Sequence, residues 1–123
     1  EPVVSREELL AFQDLIRQIP VADHVIEYAV RLVARTRPGR PDTPEFINTY
    51  LSYGAGPRAS QYLILGAKAL AALDGRATPL ISDVRRLAVP VLRHRIVTSF
   101  NADADGISAV ELIERLLETL PEA

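Results

Sequence analysis

Apolar side chains recur at three- and four-residue intervals along most of the chain, which is the spacing of one face of an α-helix. The first such stretch begins with a Ser-x-x-Glu capping box at Ser5 and Glu8 and ends before Pro20, which cannot continue a helix. A second stretch covers residues 22–36. Each stretch predicts an amphipathic helix that packs through its apolar face. In the first helix that face is formed by Leu9, Phe12, Leu15, Ile16 and Ile19.

Three further helices are predicted in the second half of the chain. The longest begins at Pro57, a residue that suits the first helical position, and ends at Gly75, whose flexible backbone suits a C-terminal cap. A fourth helix follows over residues 82–95. The last begins at a second capping box, formed by Ser108 and Glu111, and continues close to the end of the chain.

Other stretches lack this helical periodicity. Residues 37–44 contain three prolines and a glycine and are predicted to be a loop. Residues 46–53 are predicted to be an ordered connector, and the conformation of residues 38–53 is left open. Residues 96–100 favour an extended strand, for which the sequence shows no partner. The pattern predicts a single domain over residues 1–123 with an all-α fold, a small bundle of four to five helices.

The composition is that of an ordinary globular protein, with 48% hydrophobic and 24% charged residues. A net charge of −2 gives no basic field for nucleic acid or an anionic membrane surface. The absence of cysteine excludes disulfides and thiolate metal sites, and no apolar run is long enough to span a bilayer. The chain lacks methionine and begins with Glu1, so we expect it to be a processed product or a piece of a longer protein.

The most informative chemistry lies in residues 53–60, where a glycine-rich turn leads through Pro57 and Arg58 into a helix. Gly56 is placed at the N-cap. A cation in the first turn is mildly unfavourable to the helix dipole, but free backbone N–H groups there suit an anion. A guanidinium beside them can bind a phosphate through two parallel hydrogen bonds. Two interpretations stay open at this point: a phosphate contact through Arg58, or a solvated arginine at a helix start.

The other motifs in the sequence give weaker indications of function. The sequence has no phosphate-binding loop, nucleophile elbow or His-Glu-x-x-His motif. His24 and His94 lie on different predicted helices and are interpreted as structural. Residues 101–106 imitate the start of an EF-hand calcium loop, but Leu112 stands where the loop needs a bidentate Glu. We therefore predict no metal site and interpret this segment as an acidic turn before the last helix.

Positive charge is concentrated on and after the fourth predicted helix. Such clusters usually form a solvated face and less often bind phosphates, nucleic acid or an acidic partner surface. Without a basic excess or interleaved aromatic residues, we do not expect nucleic acid to be a partner. Whether the cluster faces a neighbouring subunit or water is left open. Its members are Arg85, Arg86, Arg93, His94 and Arg95.

Several motifs together point to a known family. Residues 54–59 read Gly-Ala-Gly-Pro-Arg-Ala, which resembles the Gly-Ala-Ser-Pro-Arg-Ala signature in the C-terminal lid of MoxR-family AAA+ ATPases, with Gly56 in place of the serine. Residues 21–37 are similar to the first lid helix of that family, and residues 67–76 to its next long helix. Residues 83–95 contain a segment that resembles its Val-Leu-Arg-His-Arg motif. The matches occur in the expected order along nearly the whole chain.

This resemblance implies that Arg58 is the sensor-2 arginine, a catalytic residue that reaches from the lid to the γ-phosphate of ATP, with Pro57 beside it at the nucleotide. Residues 1–20 would be a linker and connecting helix from an N-terminal AAA+ core, and residues 21–123 the lid bundle. ATP and Mg²⁺ would be cofactors of the full-length parent. This chain alone would bind neither and would be inactive, because the phosphate loop belongs to the core.

The parent, by the same resemblance, would be a cytoplasmic homo-oligomer, a hexamer, that uses ATP hydrolysis for chaperone-like remodelling or assembly of client proteins. The alternative is a stand-alone helical protein-interaction module with no nucleotide role.

Overall fold

The computed structural model describes residues 2–122, and within that range the predicted all-α fold is confirmed. Five helices have eleven residues or more, two have six, and two short strands form one small sheet. No helix of this range is long and apolar enough to cross a bilayer. In chain order the elements are α1 (Arg6–Arg17), α2 (Asp23–Arg35), α3 (Glu45–Tyr50), β1 (Leu51–Tyr53), α4 (Pro57–Leu73), α5 (Ile81–Leu92), β2 (Val97–Thr98), α6 (Phe100–Asp105) and α7 (Ala109–Thr119).

Local capping fixes where α1 and α7 begin. The Glu8 amide donates to the Ser5 hydroxyl at 3.1 Å, and the Glu111 amide donates to the Ser108 hydroxyl at 3.2 Å. Both predicted capping boxes are therefore confirmed, each satisfying N–H groups that a helix start leaves free. The predicted fourth helix, by contrast, ends at Leu92 rather than at residue 95.

The core forms where α2 and α5 pack against α4 and against each other, while α7 packs against α2 and α5. The buried face of α4 is rich in alanine, which lets its neighbours approach closely. At Gly66 the two helices are in close contact, because a Cβ there would collide with the side chain of Leu87 on α5. The largest fully buried side chains are Tyr28, Leu32, Ile47, Leu63, Leu92, Leu112, Ile113 and Leu116.

The predicted strand in residues 96–100, for which the sequence shows no partner, does pair with another strand. β2 pairs antiparallel with β1, with Leu51 opposite Thr98, and the ladder is extended by the Ser99 amide, which donates to the Tyr50 carbonyl at 2.8 Å. The predicted connector is thus the short helix α3 followed by β1. Sequence periodicity missed this pairing because its two segments are far apart in the chain, and each is too short to announce a sheet alone.

The segment that imitates a calcium loop is a helix, so its interpretation as an acidic turn was wrong. Residues 100–105 form α6, which ends at Gly106 in the left-handed conformation (φ 69°). The Tyr50 hydroxyl donates to the Asp105 carboxylate at 2.9 Å, which raises the pKa of Tyr50 above its usual value. The Asn101 side chain donates to the Thr49 carbonyl at 3.3 Å. These polar groups fasten α6 to α3.

Helix α1 lies on the outside of the bundle, against α4, and none of its residues is buried. The apolar face that the sequence predicts for α1 is therefore not part of the core. Two side chains fasten the end of the helix: Lys68 Nζ donates to the Arg17 carbonyl and Thr78 Oγ1 to the Pro20 carbonyl, both at 2.9 Å. The exposed apolar residues of α1 are Leu9, Leu10, Phe12 and Leu15.

Candidate functional site

The start of α4 has the geometry that the sequence predicts. Gly56 is the N-cap residue, with extended backbone (φ −89°, ψ −178°), and Pro57 is the first helical residue. Arg58 follows in the first turn and is exposed. Within residues 2–122 its guanidinium makes no hydrogen bond or ion pair. The N–H groups of its guanidinium are therefore available to bind a ligand.

Backbone donors at this helix start are fewer than the sequence suggests. Pro57 has no N–H, and the Ala59 amide donates to the Gly56 carbonyl at 3.0 Å. The Arg58 amide has no hydrogen-bond partner among the described residues. This amide and the Arg58 guanidinium can both donate to an anion.

The turn before α4 is fixed against the end of α2 by close packing and by buried hydrogen bonds. A Cβ on Gly54 would collide with the Thr36 carbonyl and with the Cα of Arg37, so only glycine fits there. The Thr36 hydroxyl accepts from the Ala55 amide at 2.9 Å and donates to the Val33 carbonyl at 2.6 Å. These contacts hold the turn that carries Arg58.

Arg37 adds a second contact to the same turn, because its Nε donates to the Ala55 carbonyl at 2.9 Å. Both polar groups of Ala55 are thus bonded to the end of α2, and Ala55 and Thr36 are each 1% exposed. Sequence reasoning did not single out Thr36 or Arg37 in this role. The signal available was a polar residue directly after an apolar helical stretch, which is too common to identify a site.

Gly56 differs from Gly54 in its surroundings. Its φ is one that any residue adopts, and a Cβ there would meet no atom within 4 Å. A serine, the residue of the family signature, would therefore fit without strain. The glycine at this position only leaves out a side-chain cap, which is worth a few tenths of a kcal/mol at an N-cap.

The predicted cluster on and after α5 does not form one uniform basic face. Arg93 and His94 are exposed, but Arg95 is half-buried: its Nη1 donates to the Val91 carbonyl at 2.8 Å. Its guanidinium lies 4.7 Å from the centre of the Tyr62 ring, a cation–π contact between the end of α5 and α4. Tyr62 lies one helical turn after Arg58.

A buried carboxylate connects the end of α4 with the start of α5. Asp83 is 2% exposed and accepts both Nη groups of Arg76, at 2.7 and 2.8 Å, and the Leu80 amide at 2.7 Å. The Arg76 guanidinium lowers the pKa of Asp83 more than burial raises it. Arg76 also binds Asp74 at 2.8 Å. This network orders the α4–α5 connection and lies at the opposite end of α4 from Arg58.

The remaining predicted sites stay apart. His24 lies exposed in the first turn of α2, and His94 is the second residue after α5. Within residues 2–122 no three potential metal-binding side chains come together.

Comparison with known proteins identifies the architecture. Residues 44–116 match the AAA lid domain family. The chain is 34% identical to the chaperone MoxR1 of Mycobacterium tuberculosis over 118 residues, covering 96% of this chain and 31% of that protein. It is 27% identical to YeaC of Bacillus subtilis over 120 residues, covering 98% of this chain and 35% of that protein.

A solved structure agrees. The crystal structure of a protein from Cytophaga hutchinsonii, described as a candidate ATPase, superposes with a TM-score of 0.91 at 30% sequence identity. The match covers 98% of this chain and 37% of that one, so the chain spans about a third of the length of the relatives it matches. The helical bundle, the Gly-Pro-Arg helix start and these matches agree, and the chain belongs to the lid domains of MoxR-family AAA+ ATPases.

Proposed function

We propose that this chain is the lid of a cytoplasmic, hexameric MoxR-like ATPase and that Arg58 is its sensor-2 arginine. In this role Arg58, with Pro57 beside it, contacts the γ-phosphate of ATP bound to an AAA+ core of the same polypeptide. Movement of the lid would then couple the nucleotide state to chaperone-like remodelling or assembly of client proteins.

The observation that carries this proposal is the exposed guanidinium of Arg58 on a rigidly held turn. The contacts of Thr36, Arg37 and Gly54 fix the turn, while Arg58 itself is committed to no partner among the described residues. The backbone that carries Arg58 is thereby pre-organised, so that only the side chain has to be ordered when a ligand binds. The unpartnered Arg58 amide supports the same anion.

The guanidinium of Arg58 fits the phosphate end of a nucleotide. We assign Mg²⁺ to the core domain, as the resemblance to the family implies. ATP would supply the phosphoryl group that is transferred to water. Arg58 would bind and orient that group and stabilise its charge by electrostatics, without taking part in proton transfer.

The exposed position of α1 supports the proposed division of the chain. Residues 1–20 would connect the core with the bundle of residues 21–123, and the apolar residues of α1 would be covered by that core. The fastening of α1 to α4 through Lys68 and Arg17 gives the connection a defined direction.

The test uses the full-length ATPase that contains this chain. Arg58→Ala should reduce ATP turnover or ATP affinity about ten- to a hundredfold, the loss of a charge-assisted contact of roughly 1.5–3 kcal/mol. ADP affinity should fall less, because ADP lacks the γ-phosphate. Arg58→Lys should restore part of the loss, since an ammonium keeps the charge and loses the two-pronged geometry.

The matched control is Arg86→Ala, which removes an exposed arginine from α5. It should leave turnover unchanged. Wild-type turnover and ATP affinity in Arg58→Ala would refute the sensor role and favour the alternative, a helical interaction module with no nucleotide role.

A further inference from the structure

A cleft of about 320 Å³ lies between the end of α2 and the loop that follows it. Four of its lining residues are arginines, and the acidic residue in the lining is Asp42. Arg58 is not part of it. The four arginines are Arg31, Arg35, Arg37 and Arg40.

Two of these arginines are held in place by their Nε atoms. Arg35 Nε donates to the Asp42 carbonyl at 2.8 Å, and Arg37 Nε donates to the Ala55 carbonyl at 2.9 Å. Because each contact uses Nε and a backbone oxygen, the Nη groups and the positive charge stay available. In Arg31, by contrast, the Nη groups themselves are bonded, because they donate to the carbonyls of Pro121 and Glu122. The cleft therefore presents two oriented guanidiniums.

The loop that closes the cleft is ordered by its own hydrogen bonds. The Thr43 hydroxyl donates to the Arg37 carbonyl at 2.6 Å, and the Gly39 amide donates to the Asn48 side chain at 2.8 Å. These bonds order the short loop that carries Arg40, an exposed residue that also lines the cleft. Within residues 2–122 the ion pairs involve Arg76 and none of the cleft arginines.

We propose that this cleft binds a phosphate group. The four arginines of the lining exceed the single carboxylate of Asp42 by three charges, so the cleft favours a phosphate dianion over a lone carboxylate. Several guanidiniums facing one cleft also offer more donors than one planar carboxylate accepts, whereas a phosphate accepts from several directions. The site is separate from Arg58 and does not depend on the role proposed for it.

Binding of a phosphate in the cleft would affect the turn before α4. Arg37 is one of the residues that line the cleft, and its Nε donates to the Ala55 carbonyl. A phosphate drawn to Arg37 would change the position or strength of that contact. The Ala55 amide is therefore a reporter of binding that lies outside the cleft lining.

The test is a titration of the chain with sodium pyrophosphate at constant ionic strength, followed by NMR of the arginine Nε–H groups and the backbone amides. We expect saturable shifts at Arg35, Arg37 and Ala55. Arg40→Gln removes an exposed loop guanidinium that makes no hydrogen bond within residues 2–122, and it should weaken binding about three- to tenfold. Arg93→Gln, an equally exposed arginine outside the cleft, should not change it.

Parallel titrations with inorganic phosphate and with ADP identify the source of the phosphate, and saturable shifts at the cleft with either of them support the site. Shifts that rise linearly at all arginines, or that saturate only at Arg58, would overturn it. Equal weakening by Arg40→Gln and Arg93→Gln would overturn it as well, because the effect would then reflect net charge alone.

Discussion

The turn that carries Arg58 depends on one buried hydroxyl, so Thr36→Val is the sharpest test of how the turn is held. Valine keeps the shape of threonine and removes the oxygen. The Ala55 amide, which donates to that oxygen at 2.9 Å, would be left in a position that is 1% exposed. The Val33 carbonyl would lose the hydroxyl but keep the Thr36 amide at 3.1 Å.

The magnitude follows from that unpaired amide. A buried donor without a partner costs about 1–3 kcal/mol. At roughly 4 °C per kcal/mol for a domain of this size, the melting temperature should fall by about 4–12 °C. The control is Thr36→Ser, which keeps the oxygen and loses one methyl group, for a cost of about 0.8 kcal/mol or less.

Two measurements separate the global effect from the local one. Urea unfolding gives the change in free energy for both variants, and hydrogen exchange gives the protection of the Ala55 amide. We expect Thr36→Val to lose more stability than Thr36→Ser and to exchange the Ala55 amide faster. If the two variants are equally stable and Ala55 remains protected, the hydroxyl does not hold the turn and the reasoning is wrong.

Two further predictions concern the ends of α4. The Arg76 contact keeps the pKa of Asp83 in the folded protein below its unfolded value of about 3.9. The ionised carboxylate therefore stabilises the fold above the unfolded pKa, and this contribution is lost as the pH falls through the folded pKa. We expect the difference in stability between wild type and Asp83→Asn, measured by urea unfolding, to shrink as the pH is lowered through this range. A difference that does not vary with pH would contradict this. Gly56→Ser should raise stability by a few tenths of a kcal/mol in the same assay, since a serine hydroxyl can cap α4; a clear loss would show that the site is less open than it looks.

Elements that depend on neighbouring residues were predictable. The capping boxes at Ser5 and Ser108 are read from four consecutive residues and begin their helices as expected. The same holds for Gly56 and Pro57, because an N-cap and a first helical residue are defined by local backbone alone. The placement of Arg58 in an exposed first turn followed directly.

Elements that depend on distant partners were not predictable. β2 exists because the chain brings it beside β1, and Ser99 beside Tyr50, which no local pattern records. The apolar stripe of α1 is a second example. Its periodicity predicts an apolar helix face, but it does not tell which part of the protein packs against that face. In the bundle that surface stays largely exposed, because α4 already packs against α2 and α5.

The sequence by itself determined the all-α fold, the helix starts and the position of Arg58, because caps and amphipathic periods act within one or two helical turns. The tertiary structure alone decided how Arg58 is presented. It placed the Thr36 hydroxyl and Arg37 against Ala55, excluded any side chain from Gly54, and folded the loop after α2 back to form the arginine cleft. Buried polar groups take whichever partner packing brings within hydrogen-bond distance, and that choice is made by the whole bundle.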